Sequence, residues 1–110
     1  MTNIFLKIIS GEIPTEFIYQ DEDVIVIKDI MPQAPVHLLI IPKKTVVDIR
    51  EVDERLAGRI IMVANEMARR FGIADSGFRL VVNTGNDGGQ TVPQLHMHLL
   101  GGRDMGWPPG

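Results

Sequence analysis

Residues Gly88 to Gly102 read GGQTVPQLHMHLLGG: two glycines, a proline at position 93, then an alternating run that carries two of the chain's three histidines. Successive side chains of a β-strand point to opposite faces, so Gln94, His96, His98 and Leu100 are predicted on one side and Leu95, Met97 and Leu99 on the other. One face is polar and chemical; the other is core. A single histidine on such a strand is usually a surface or satisfied core residue, but two of them flanked by a glutamine point to a site.

Upstream, Phe78 to Asn83 reads as a strand entered through Ser76-Gly77, and the loop Thr84 to Val92 joins it to the histidine run as a hairpin. Antiparallel pairing brings Asn83, at the end of the first strand, near Gln94 or His96, at the start of the second. The loop sequence Gly85-Asn86-Asp87-Gly88-Gly89-Gln90-Thr91 permits dihedrals in which consecutive backbone N–H groups converge on an anion. Glycine-rich loops mostly serve to turn a chain. This one delivers its donors beside the histidine face.

Before the hairpin, Leu56, Ile60, Val63, Ala64, Met67 and Phe71 recur at three- and four-residue steps, predicting a long amphipathic helix over 53–71. Asp53 suits its N-cap, Arg69 and Arg70 suit the negative end of its dipole, and Gly72 suits a left-handed closing residue. Gly58 inside it suggests a close backbone approach, and Met62 and Met67 read as gap-filling core or interface. Phe17 to Gln20 and Val24 to Asp29 read as hairpin strands around Asp21-Glu22-Asp23, with Asp29 at a strand end. Pro32 and Pro35 force a loop before the strand His37 to Ile41, which Pro42 closes. Ile4, Phe5, Ile8 and Ile9 form the apolar face of a short helix capped by Thr2 or Asn3 and ended by Ser10-Gly11.

A length of 110 residues implies one domain with a modest core. Lys+Arg 11 against Asp+Glu 14, net −3, gives no broad basic surface, which argues against a nucleic-acid polymer as partner. The absence of cysteine rules out disulfides and thiolate chemistry and fits a reducing compartment. With no signal-like segment and no apolar stretch of bilayer length, the expectation is a cytoplasmic protein without a membrane partner.

A neutral imidazole can attack an electrophile while a neighbouring histidine donates or receives the proton. His96 and His98 make such a pair, His37 can support it from another strand, and Asn83 with the Thr91 hydroxyl adds neutral donors suited to a phosphoryl centre. Two other readings stand beside this one. Three histidines could hold a zinc ion with one position open for water, and a nucleotide-binding or scaffold protein with weak residual catalysis would use the same pocket without needing the chemistry.

Asp29-Ile30 with PQAPVHLLIIPKK, then VVNTGNDGGQTVP, QLHMHLLGGR and the terminal WPPG, preceded by the NIFLKII opening, resembles the histidine triad superfamily, specifically its Hint branch of nucleotide-binding proteins. The resemblance covers nearly the whole chain. It implies an α+β fold with a five-stranded antiparallel sheet, one long and one short helix, and a homodimer in which two sheets join into ten strands. It further implies a nucleoside phosphoramidase or nucleotidyl hydrolase acting on purine nucleoside 5'-monophosphate derivatives, with AMP or GMP as product and no metal or cofactor. Carried onto this sequence, His96 is the nucleophile, His98 contacts phosphate and assists proton transfer to the leaving amine, and His37 supports the pair. Asn83, Gly89 and Thr91 hold phosphate or a sugar oxygen, Asp29 binds the ribose hydroxyls, and Phe5, Ile8, Ile27, Ile30 and Leu39 line the base pocket. The family's first motif histidine is replaced by Gln94, counted with the substrate-binding residues; glutamine keeps a donor and an acceptor and so can orient a neighbour, but it cannot relay a proton. The WPPG tail, an exposed tryptophan on a proline-stiffened end, suits an interface.

Overall fold

The computed structural model describes residues 3–110 and contains five strands, two α-helices and one 3-10 turn. A short helix α1 (Ile4–Ile9) precedes strands β1 (Tyr19–Gln20), β2 (Val24–Lys28) and β3 (Val36–Pro42). A 3-10 turn (Ile49–Glu51) leads into the long helix α2 (Glu54–Arg70), and β4 (Phe78–Val81) and β5 (Met97–Gly101) complete the chain. All neighbouring strands are antiparallel, in the order β1-β2-β3-β5-β4. The histidine strand β5 is therefore interior, flanked by β3 and the edge strand β4.

The two faces of the sheet follow from the two-residue period. Val24, Val26, Leu38, Ile40, Met97 and Leu99 pack against Leu56, Ile60, Val63, Ala64 and Met67 of α2, forming the larger core. The opposite parity, Ile25, Ile27, Leu39 and Ile41, packs against Phe5 and Ile8 of α1. Each apolar side chain so buried stabilises the fold by roughly 1.5–3 kcal/mol relative to exposure. His37 and His98 lie on this second face, at the end of the small core.

The helix limits have the expected chemical causes. Asp53 caps α2 by accepting from Leu56 N at 2.8 Å, and Gly72 closes it at φ +74°. Asn3 caps α1 through Leu6 N and also donates from Nδ2 to Pro93 O, tying that helix to the histidine segment. The alternative cap, Thr2, lies outside the described residues. At the far end of the sheet, Arg59 of α2 binds Asp21 Oδ2 at 2.6 Å and the Tyr19 hydroxyl at 2.7 Å, fastening the β1–β2 turn to the helix.

Several expectations are corrected. The strand predicted from Gln94 begins only at Met97, and the one predicted over 17–20 shrinks to Tyr19–Gln20. Gly58 makes no close approach: a Cβ built there meets nothing within 4 Å. It lies on the exposed side of α2, near Ile61 and Met62, which are 45% and 56% exposed; Met67, in contrast, is core. The Trp107 side chain is 84% exposed, and Arg79 Nη2 donates to Gly106 O to hold the tail. Among the described residues no helix is long and apolar enough to cross a membrane.

Candidate active site

Register places the imidazoles. His37 on β3 pairs with Leu100, and Leu39 pairs with His98 on β5, so the two histidines are diagonal neighbours on one face, within reach of each other's side chains. Nε2 of His37 lies 2.9 Å from Nδ1 of His98. His96 precedes β5 but keeps its parity, and its ring stands 5.2 Å from that of His98 and 4.7 Å from that of Phe5, centroid to centroid.

The hydrogen bonds assign the protons. Gln33 N–H donates to Nδ1 of His37 at 3.0 Å, so that nitrogen is unprotonated and Nε2 of His37 carries the hydrogen. This hydrogen points at His98 Nδ1, which must accept, leaving the His98 hydrogen on Nε2. His96 donates from Nδ1 to its neighbour's carbonyl, Gln94 O, at 2.8 Å. Its Nε2 is then the nitrogen with a free lone pair. Backbone groups thus set His37 and His96, and His37 sets His98, leaving a basic nitrogen on His96 and an N–H donor on His98 two residues on.

Electrostatics support neutral rings. Burial, the largest influence, lowers the pKa of His96, against the opposing pull of the Gln94 carbonyl and Asp29. Burial likewise pushes His98 down, to about 4, helped by repulsion from His96 and His37 and opposed by Asp29. At neutral pH both are uncharged.

Asp29 follows β2 and joins this group. Its Oδ1 accepts from Met31 N at 2.8 Å, while Oδ2 lies 3.3 Å from His37 Nε2 and 3.9 Å from His98 Nδ1. Among the described residues, the atoms able to converge on a metal are those of Asp29, His37 and His98, within 4.8 Å of one another. The three-histidine set anticipated for zinc is not the one gathered: His96 stands outside it, hydrogen-bonded to Gln94 O.

The glycine loop is braced from within. Asn83 Nδ2 donates to Gly88 O at 2.7 Å, Gly89 sits at φ +75° with its N–H on Asn86 O, and Thr91 is exposed. A Cβ at Gly88 would lie 2.3 Å from Thr84 O, so the turn has room only for glycine there. Gly89's amide, expected to face an anion, is engaged in the turn.

Two predicted site residues have surroundings of another kind. Gln94 is 0% exposed, and its side chain is hydrogen-bonded to the main chain: Oε1 accepts from Val46 N, and Nε2 donates to Pro42 O and Lys44 O. The side chain is a strut between the histidine segment and the chain leaving β3, because three backbone groups there need partners. Ile30 is 92% exposed, whereas Phe5, Ile8, Ile27 and Leu39 are packed core. Sequence reasoning missed Gln33, whose contribution is a main-chain N–H that residue identity does not encode. It also missed Gln90, which accepts from Gly85 N and donates to Val47 O and Val92 O, holding the glycine loop shut.

Residues 10–105 match the family described as HIT domain. The chain belongs to the HIT domain family. It is 51% identical over 106 residues to the purine nucleoside phosphoramidase of Escherichia coli K12, covering 94% of this chain and 89% of that protein. Among solved structures, a HIT family hydrolase from Legionella pneumophila superposes with a TM-score of 0.94 at 45% identity, covering 99% of this chain and 100% of that one. A HIT family hydrolase from Clostridium thermocellum does so at 0.89 with 50% identity, covering 94% and 92%. The α+β fold expected of the HIT family, with its five-stranded antiparallel sheet and one long and one short helix, is the one observed.

Proposed function

We propose that this HIT protein is a metal-independent cytoplasmic hydrolase that cleaves purine nucleoside 5'-phosphoramidates and related nucleoside monophosphate derivatives through a nucleotidyl-histidine intermediate. The observation that carries the reading is the His96 ring: its Nδ1–H is committed to Gln94 O, so Nε2 is the basic nitrogen, next to a second imidazole. The likeness to a purine nucleoside phosphoramidase supports the substrate class.

In the first step the lone pair of His96 Nε2 attacks the α-phosphorus as the bond to the amine breaks. Burial holds His98 neutral in the free protein, but a bound phosphoryl anion favours its protonated form. The His37 Nε2 hydrogen then turns to Asp29 Oδ2, 3.3 Å away, so that His98 Nδ1 can hold a proton while Nε2 gives its own to the departing amine. In the second step water attacks phosphorus, its proton passes to His98 Nε2, and the phosphorus–His96 bond breaks to release the monophosphate. Two in-line displacements, each inverting, give overall retention.

Asn83, Gly89 and Thr91 hold phosphate or the nearby sugar oxygen, the Asp29 carboxylate accepts from the ribose hydroxyls, and Phe5, Ile8, Ile27 and Leu39 support the base, with Ile30 closing over it. Gln94 takes no part. A nucleotide-binding scaffold with weak residual catalysis is the alternative that His96→Ala separates from this reading: a fall in turnover of at least about a hundredfold supports the hydrolase. The working unit is a homodimer, for which the exposed Ile61 and Met62 on α2 supply apolar surface.

The test is rapid quenching of turnover with adenosine 5'-phosphoramidate followed by peptide mass analysis. A nucleotidyl adduct on the peptide carrying His96, absent from His96→Ala, is the expected result. Turnover without any such adduct overturns the mechanism, and no turnover overturns the activity.

A further inference from the structure

The Gln33 N–H selects which nitrogen of His37 bears the proton, yet Gln33 lies in an exposed, irregular segment between β2 and β3. Something must hold it. Among the described residues its own side chain donates only to Met31 O, two positions back in the same segment. The restraint from outside the segment comes through its carbonyl: Arg103 Nε donates to Gln33 O at 2.9 Å, while Arg103 Nη1 donates to Asp104 O at 3.0 Å, which stiffens the guanidinium. Beside this contact Gly102, at φ +90°, packs so closely on Pro35 that a Cβ would lie 3.0 Å from the proline ring.

Arg103 follows β5 by two residues, and β5 carries His98. The connections therefore close a ring: from His98 Nδ1 to His37 Nε2, from His37 Nδ1 to Gln33 N, from Gln33 O to Arg103 Nε, and back along the chain to His98. The same strand anchors both ends of the proton relay.

We propose that Arg103 is a positioning residue that, by holding Gln33, keeps the Gln33 N–H on His37 and so selects the proton-bearing nitrogens of His37 and His98. Without it the Gln33 segment is free to drift, and His37 Nδ1 can take the hydrogen. His37 Nε2 would then present a lone pair to His98 Nδ1 and to Asp29, a repulsion relieved when His98 moves its own hydrogen to Nδ1. His98 Nε2 then has no proton with which to contact phosphate. The tautomer assignment stands on the hydrogen bonds alone, whereas its kinetic consequence rests on the hydrolase reading above.

The experiment records nitrogen-15 imidazole spectra of the labelled, full-length protein, with Arg103→Met and Arg103→Lys beside the parent. The parent is expected to show His37 and His98 with hydrogen on Nε2. Arg103→Met is expected to show a mixture at both rings, and kcat on adenosine 5'-phosphoramidate is expected to fall about tenfold with KM changed less than about twofold. Arg103→Lys, whose ammonium can reach the same carbonyl, is expected to restore the parent tautomers and most of kcat. Parent tautomers retained in Arg103→Met overturn the proposal, as does a lysine variant no better than methionine. Should Arg103→Met fold poorly, Arg103→Gln gives the same comparison. If the protein turns over no phosphoramidate at all, the hydrolase reading fails while the ring spectra still decide the role of Arg103.

Discussion

Nε2 of His37 and Nδ1 of His98 stand 2.9 Å apart although 61 positions separate them in the chain. Antiparallel pairing of β3 with β5 makes them diagonal neighbours, and neither ring sets its own tautomer: the Gln33 amide sets the first, and the first sets the second. His37→Ala leaves His98 Nδ1 without its donor and lets its hydrogen wander. The expected result is a fall in kcat of about tenfold to a hundredfold with the nucleotide dissociation constant little changed. Steady-state kinetics with AMP titration by calorimetry checks it, and an unchanged kcat contradicts the relay.

The imidazoles also predict the response to acid. His96 and His98 have folded-state pKa values below their unfolded value, His98 at about 4. Below pH 6.5 the unfolded chain therefore binds protons that the folded chain refuses, so stability is complete above that pH and declines as pH falls from about 6.5 toward about 4. The folded nucleophile also stays basic into mildly acid solution. Turnover is expected to hold on a plateau through neutrality, with its acid limb centred below 6.5, while the melting temperature has already begun to drop. An acid limb centred above 6.5 would contradict the burial of His96.

How much of this was legible beforehand depends on where the information resides. Leu56, Ile60, Val63 and Met67 announce α2 because a helix repeats every 3.6 residues, and Asp53 announces its cap because a carboxylate satisfies a free N–H. The facing of His98 follows from strand alternation, which sets it opposite Met97 and Leu99. The extension of that alternation back to Gln94 failed for a physical reason. Pro42, Lys44 and Val46 present main-chain groups that need partners, and the glutamine amide turns to them instead of lying in a ladder. Gln33 was invisible because its contribution is a backbone N–H. The exposure of Ile30 is likewise not encoded in its identity, because an isoleucine reads as buried and only the course of the loop leaves it in solvent.

The Gln94 strut has a measurable worth. Gln94→Ala strips three backbone groups of their partners in a region where, among the described residues, every buried side-chain polar atom is satisfied. Each uncompensated buried group costs about 1–3 kcal/mol. Denaturant unfolding is expected to show a loss of about 2 kcal/mol or more, with activity of the folded fraction largely kept. Full stability with lost activity would place Gln94 in the chemistry after all.

Asp29, His37 and His98 bring donors within 4.8 Å, close enough to hold a divalent ion, yet the hydrogen on His37 Nε2 already fills the space between them as a bridge. If hydrolysis runs through His96 as nucleophile, extended dialysis against a strong chelator should leave kcat unchanged. Added zinc should inhibit, because occupying those atoms expels the bridging hydrogen. Activity abolished by chelation and restored by zinc would instead support a metallohydrolase.

The last expectation concerns assembly. Ile61 and Met62 expose apolar surface on α2 beside Gly58, whose missing side chain leaves the helix backbone open to a close neighbour. A second copy of this chain packed there would bury all three and would explain a glycine that otherwise costs the helix about 1 kcal/mol. Sedimentation equilibrium at micromolar concentration should therefore report twice the 12.2 kDa chain mass. Met62→Glu, which places a charge in that contact without touching the core, should shift the distribution toward a monomer. A parent protein that sediments as a monomer, or a glutamate variant that remains fully dimeric, removes α2 from the interface.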